Sequence, residues 1–176
     1  CDKDTDFVYW GSDKSKVAGG EKSKDERLSI IKSISREQEI SSTIIGRWPS
    51  GIKIARQWIP LKDTLGFLDR SYSTLCFNWI DPYATTSRYP EALSVGMIPF
   101  VWRDYDILGK YNIDEWQRVQ EFEDLYEKII ELRDETVFTN KLEEYRNNYK
   151  KVLLSEDEYY KQFTERMNHG LIHAHR

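Results

Sequence analysis

Up to about residue 113 the apolar positions of this chain come in short bunches separated by turn residues; beyond it they recur at helical spacing. Asp6-Phe7-Val8-Tyr9-Trp10 is an apolar run closed by Gly11-Ser12, which predicts a buried strand ending in a turn. A loop rich in Lys, Gly and Ser follows from Asp13 to Lys24. Leu28, Ile30, Ile31 and Ile34 then predict a helix over Asp25–Ile34. Thr43-Ile44-Ile45 before Gly46 predicts a second strand, and Ile52–Ile59, ahead of Pro60, a short third one. Leu61–Asp69 reads as a short helix and Ser73–Trp79 as a further strand.

The stretch from Ala84 to Val101 organises the rest. Thr85, Thr86 and Ser87 are hydroxyl residues suited to a helix N-cap, a short helix carries Arg88 and Glu91, Gly96 stops it, and Met97–Trp102 continues as an apolar strand. A loop through Asp104, Asp106 and Gly109 leads to the helical part. Phe122, Leu125, Ile129 and Leu132 mark one amphipathic helix, and Leu142, Tyr145, Tyr149 and Val152 a second. Ser155-Glu156-Asp157-Glu158 has the form of a capping box, so a third helix is expected from Ser155 to about Met167, with a frayed tail over 169–176. Alternating strands and helices predict an α/β, Rossmann-like parallel sheet with helices on both faces, followed by C-terminal helices. Residues 1–168 read as one domain.

Composition narrows the function. With 176 residues the chain is long enough for one domain with a full core, and no apolar run reaches the length of a membrane span, so no membrane partner is expected. Residues 1–113 carry 16 Lys/Arg against 15 Asp/Glu, and residues 114–176 carry 10 against 15. A large nucleic-acid footprint needs a basic surface, so direct DNA binding by this chain is disfavoured, while a local basic site for a small anion stays open. Cys1 and Cys76 make no disulfide framework, which fits a reducing, cytoplasmic setting. Because the sequence opens at Cys1 rather than Met, it is expected to be part of a longer protein.

Ligands of open parallel sheets bind beyond the carboxyl ends of the strands. The segments expected there are Gly11-Ser12, Gly46-Arg47, the residues before Thr85, and Trp102-Arg103-Asp104. Lys14, Arg27, Arg47 and Arg88 are basic residues available at that edge, enough to neutralise a diphosphate. Arg27 falls at the start of the predicted helix, where a cation is unfavourable unless an anion is close. Arg88 and Glu91 are three apart and share a helix face near its positive end, which suits phosphate for the one and a sugar diol for the other. The plainer alternative is a helical ion pair worth a few tenths of a kcal/mol, roughly 0.2–0.5. Gly19-Gly20 fits neither a P-loop nor a dinucleotide fingerprint. His169, His173 and His175 have metal-like spacing but sit in the expected tail, and Asp104 and Asp106 read more simply as turn formers than as ligands of sugar hydroxyls.

With these residues assembled, the chain resembles the C-terminal, donor-binding half of two-domain GT-B glycosyltransferases, and most of all the phage DNA β-glucosyltransferases, which use UDP-glucose. Tyr9-Trp10-Gly11-Ser12 resembles the family's first strand and glycine-serine turn, Ile45-Gly46 its next strand end, Ile59-Pro60 a pair whose Ile meets uracil through its backbone, and Arg88-Tyr89-Pro90-Glu91 its R-x-x-E. The resemblance implies that Gly11, Ser12, Lys14, Arg27, Gly46, Arg47, Ile59, Thr86, Ser87, Arg88 and Glu91 bind the donor, Arg88 at the diphosphate and Glu91 at the ribose. It implies no tightly bound cofactor, a UDP-sugar as substrate, room for a divalent metal, and an acceptor such as modified phage DNA reached through an N-terminal domain that also carries the catalytic base. For a phage-encoded chain the setting is the host cytoplasm. The chain departs from the generic pattern of two glutamates eight apart, since Tyr83 stands at the first position, and Lys14 stands where Arg is usual. A non-catalytic Rossmann-like interaction module is the alternative.

Overall fold

The structure is a computed structural model that describes residues 3–11, 21–52, 61–78 and 85–173. Five parallel strands form one sheet: β1 (Thr5–Trp10), β2 (Ser42–Ile45), β3 (Ser71–Cys76), β4 (Ile98–Trp102) and β5 (Arg118–Val119), in the order β2-β1-β3-β4-β5. The helices are α1 (Glu21–Arg36), α2 (Leu61–Asp69), α3 (Arg88–Ser94), α4 (Phe122–Glu131) and α5 (Glu135–His173), with a 3-10 turn at Glu115–Gln117.

Alternation along β1 builds two apolar layers. Phe7 and Tyr9 share a core cluster with Ile30, Ile31 and Ile34 of α1, Ile44 of β2, and Leu125 and Ile129 of α4. Val8, pointing the other way, clusters with Ile45, Leu68 of α2 and Ala92 of α3. Burial on both faces is what a parallel sheet requires, and it is why β4 is apolar at every position of Ile98–Trp102, all of them buried. The expected α/β, Rossmann-like fold with helices on both faces is therefore the observed one.

Gly96 ends α3 as expected. It takes φ +78°, and the N–H of Met97 donates to Ala92 O at 2.9 Å. Asp106 is a turn former: buried at φ +55°, its carboxylate accepts the N–H groups of Lys110 (2.8 Å) and Tyr111 (2.7 Å).

Three expectations need correction. The predicted second and third C-terminal helices are one helix, α5, which runs through Ser155 and on to His173. A capping box marks a start only where the serine leaves helical geometry, and residues 135–169 contain no Gly or Pro to force it out. The start of α5 is set instead by Asp134, whose carboxylate accepts the N–H groups of Thr136 (2.8 Å) and Val137 (3.2 Å). Secondly, α1 begins at Glu21 rather than Asp25, so Arg27 lies nearly two turns inside the helix and the argument from a cation at the helix start does not apply to it. Thirdly, β5 was not foreseen: two residues paired to Val101 and Trp102 leave no periodic signal. Of the expected strand over Ile52–Ile59, all but Ile52 lies outside the described residues.

Candidate functional site

The strand order places a topological switch between β1 and β3, since the chain leaves β1 toward β2 on one side and reaches β3 on the other. The carboxyl ends of β1, β2 and β3 and the start of α3 converge there. Gly11 follows β1, and its N–H donates to Ile45 O at 3.0 Å, so the ends of β1 and β2 are tied. Gly46 follows β2 at φ +126°, and a Cβ on it would lie 1.5 Å from Gly11 O. Two main chains meet there with no room for a side chain on Gly46, and the Trp48 indole Nε1 stands 3.4 Å from where its Cβ would be.

Arg88, the first residue of α3, reaches back over this junction. Its Nη1 donates to Tyr9 Oη at 3.0 Å and its Nη2 to Trp10 O. The guanidinium lies 4.6 Å from the Tyr9 ring centroid and 4.8 Å from that of Trp10. A Cβ on Gly11 would come within 3.3 Å of Nη2, so the cation packs closely against the strand end. Arg88 has no carboxylate partner among the described residues, and its Nε is buried without an acceptor. Glu91 is exposed, so the helical ion pair weighed from the spacing does not form. Arg88 instead spends its hydrogen bonds on uncharged groups, and no described residue compensates its charge.

The hydroxyl residues before α3 act differently from the caps expected of them. Ser87 has helical φ/ψ and makes no side-chain cap, Thr86 Oγ1 donates to Phe77 O at 3.4 Å, and Thr85 Oγ1 donates to Tyr111 Oη at 3.3 Å. They fasten the start of α3 to the end of β3 and to the loop after β4. Beneath them Cys76 is fully buried, and burial pushes its thiol up to about 12, so it is inert as a nucleophile.

Of the sequence-derived candidates, the structure brings together Gly11, Gly46, Thr86, Ser87, Arg88 and Glu91 at this edge. Arg47 follows Gly46 and is exposed; Arg27 is half-buried within α1. Ser12, Lys14 and Ile59 lie outside the described residues. Sequence reasoning missed Tyr9 and Trp10 as the seat of Arg88, although their place directly before Gly11 was the available signal. It missed Glu26 as well, whose carboxylate accepts the Trp102 indole N–H at 3.1 Å and pairs with Arg103, tying α1 to the end of β4. Among the described residues no three His, Cys, Asp or Glu side chains gather into a metal-binding group, and no helix is long and apolar enough to cross a membrane.

No family model matches the chain, and no curated protein does. Solved structures do. The β-glucosyltransferase of phage T4 in complex with UDP-glucose superposes with a TM-score of 0.70 at 14% identity, covering 94% of this chain and 49% of that one. The same enzyme, described as a DNA-modifying enzyme, gives 0.72 at 14% identity over 94% and 52%. It has also been solved with UDP and Mn2+. The catalytic domain of cholesterol-α-glucosyltransferase from Helicobacter pylori gives 0.55 at 16% identity over 85% and 97%. The chain thus has the Rossmann-like fold of GT-B glycosyltransferases, and it spans about half the length of the phage T4 chains it matches.

Proposed function

We propose that this chain is the donor-binding part of a glycosyltransferase that takes a UDP-sugar, glucose being the sugar, and delivers it to an acceptor held by another domain. The observation that carries the reading is Arg88: a cation without a carboxylate partner among the described residues, anchored where the main chains of Gly11 and Gly46 meet at the switch point of a parallel sheet. An uncompensated charge costs stability where it is withdrawn from water, and it is retained where an anion binds. The fold shared with UDP-glucose-binding enzymes supports the same conclusion.

In this reading the diphosphate lies over Gly11 and Gly46, where main chain can approach closely, and Arg88 faces its oxygens. Glu91, exposed and three residues on, accepts from the ribose hydroxyls. When the bond from the anomeric carbon to the β-phosphate oxygen breaks, its electron pair stays on that oxygen, and the anomeric carbon is taken by an acceptor hydroxyl whose proton goes to a base outside this domain. Arg88 stabilises the negative charge gathering on UDP, and because Tyr9 and Trp10 already hold it, little reorganisation is needed as the bond breaks. Modified phage DNA is the acceptor class most in keeping with the phage T4 likeness, and the net charge of −4 favours a reading in which another domain makes the contact with DNA.

The test is calorimetric titration and thermal unfolding of this chain with UDP, UDP-glucose, GDP and ADP. At about one hundred times its dissociation constant a UDP species stabilises by roughly 2.7 kcal/mol. Stabilisation by UDP species alone, lost in Arg88→Met, supports the donor site. No stabilisation by any nucleotide overturns it for this chain and favours the interaction module.

A further inference from the structure

The helix that carries Arg88 is too short to orient itself. α3 has seven residues and no side-chain cap at Ser87, so its direction has to come from outside. The loop after β4 supplies it. Tyr105 Oη donates to Thr86 O at 2.9 Å, and Tyr111 Oη accepts from Thr85 Oγ1 at 3.3 Å. Both rings also belong to a stack with Tyr89 of α3: the Tyr89 and Tyr111 centroids are 5.1 Å apart at an interplanar angle of 7°, and those of Tyr89 and Tyr105 are 6.3 Å apart.

The loop is itself rigidly held. Asp106, buried between the two tyrosines in sequence, accepts two main-chain N–H groups, and Arg118 Nη1 donates to Tyr105 O at 2.8 Å. At the tip of the same Tyr89 ring, Oη donates to Gln117 Oε1 at 3.2 Å, and Gln117 Nε2 donates to Pro99 O of β4 at 2.9 Å. The rings and Gln117 fix where α3 sits; the two hydroxyls, together with Phe77 O, which accepts from Thr86 Oγ1, grip the pair of residues directly before Ser87 and Arg88.

We propose that the hydroxyls of Tyr105 and Tyr111 are positioning groups, which aim Arg88 at the carboxyl end of β1 by holding Thr86 and Thr85. This rests on the donor-binding reading of Arg88 and adds to it the residues that set the direction of the cation. Neither tyrosine touches the floor made by Gly11 and Gly46; each acts through α3.

Tyr105→Phe and Tyr111→Phe keep the stacked rings and remove only the two hydroxyls. The double variant is expected to bind UDP roughly tenfold more weakly than the unaltered chain, the size of effect that one or two hydrogen bonds carry. In an Arg88→Met background the same two substitutions are expected to change the residual UDP affinity by less than about twofold. Unaltered UDP affinity in the double variant overturns the proposal, as does an equal loss in both backgrounds. A nucleotide-free readout separates this from failure of the donor reading: the Arg88 Nε–H, buried in the intact chain, is followed by NMR and is expected to exchange faster with solvent in the double variant. If no nucleotide binds the unaltered chain but this exchange accelerates, the donor reading falls and the positioning stands. Unchanged exchange overturns the positioning by itself.

Discussion

A Cβ built on Gly46 would lie 1.5 Å from the carbonyl oxygen of Gly11 and 2.7 Å from its carbon, so the ends of β2 and β1 pass each other at main-chain contact. Neither backbone can yield cheaply, because Gly11 N–H is bonded to Ile45 O and Gly46 is at φ +126°. Gly46→Ala is therefore expected to cost about 2–4 kcal/mol and to abolish UDP binding. Gly66, inside α2, provides the contrast: nothing lies within 4 Å of its added Cβ, and Gly66→Ala is expected to raise stability by about 0.5–1 kcal/mol. Denaturant midpoints of the two variants measure both, and equal effects would remove the main-chain contact as the cause.

Glu91 separates binding from stability. It is exposed and makes no ion pair with Arg88, so Glu91→Gln is expected to leave the unliganded chain within about 0.5 kcal/mol of its stability. UDP affinity is expected to fall roughly tenfold, and deoxyuridine diphosphate to bind both forms alike, since one charge-assisted hydrogen bond to the ribose is what the change removes. A Glu91→Gln chain that still prefers UDP over its 2′-deoxy form would assign the ribose to another residue.

At the opposite edge of the sheet, Asp6 is buried and accepts Arg133 Nε (3.1 Å), Arg133 Nη2 (2.8 Å) and the N–H of Ser41 (2.8 Å). The hydrogen bond to Asp6 is the main cause that raises Arg133 above its ordinary value. This clamp joins β1 to the turn between α4 and α5, at the end of β1 away from the Tyr9 and Trp10 contacts of Arg88. Asp6→Asn is expected to cost about 2 kcal/mol and to leave UDP affinity at saturating stability unchanged. Urea unfolding together with titration checks the pair of outcomes.

Tyr145 of α5 carries a buried hydroxyl without a partner among the described residues, its ring 6.4 Å from that of Trp116 between centroids. Tyr145→Phe keeps the ring and removes the orphan group, so it is expected to stabilise by about 1 kcal/mol, a rise in melting temperature of roughly 2–4 °C. A drop in melting temperature would mean that the hydroxyl has a partner after all, such as a bound water.

Alkali provides a separate check on the buried groups. Burial raises Tyr89, Tyr105 and Tyr145 above their ordinary value of 10.0, and Cys76 from 9.0 to about 12. Above pH 9 to 10 the unfolded chain loses these protons while the folded chain keeps them, so stability falls as pH rises, by about 1.4 kcal/mol per pH unit for each group. Lys3, lowered from 10.5 to about 8 chiefly by burial, works the other way between those two values, one group against four. Denaturant midpoints are expected to drop steeply above pH 10, and less steeply in Tyr145→Phe.

The class of fold was determined by the sequence alone, because it rests on local signals. Apolar runs at Phe7–Trp10 and Ile98–Trp102 can bury both faces only in a covered parallel sheet, and Gly11, Gly46 and Gly96 mark where chain direction changes. Those signals carry no information about partners distant in the chain. That Arg88 turns away from Glu91 to sit on Tyr9 and Trp10, 79 and 78 residues away, was decided by the crossing of α3 over the end of β1. The same holds for Tyr105 and Tyr111, which read in sequence as ordinary loop aromatics and acquire their contacts with Thr86 and Thr85 only when β4 lies beside β3. Helix ends divided along the same line. Gly96 stops α3 by its own backbone freedom, whereas the serine of the Ser155 motif is carried through by α5, since a capping side chain acts only if the surrounding chain lets its residue leave the helix.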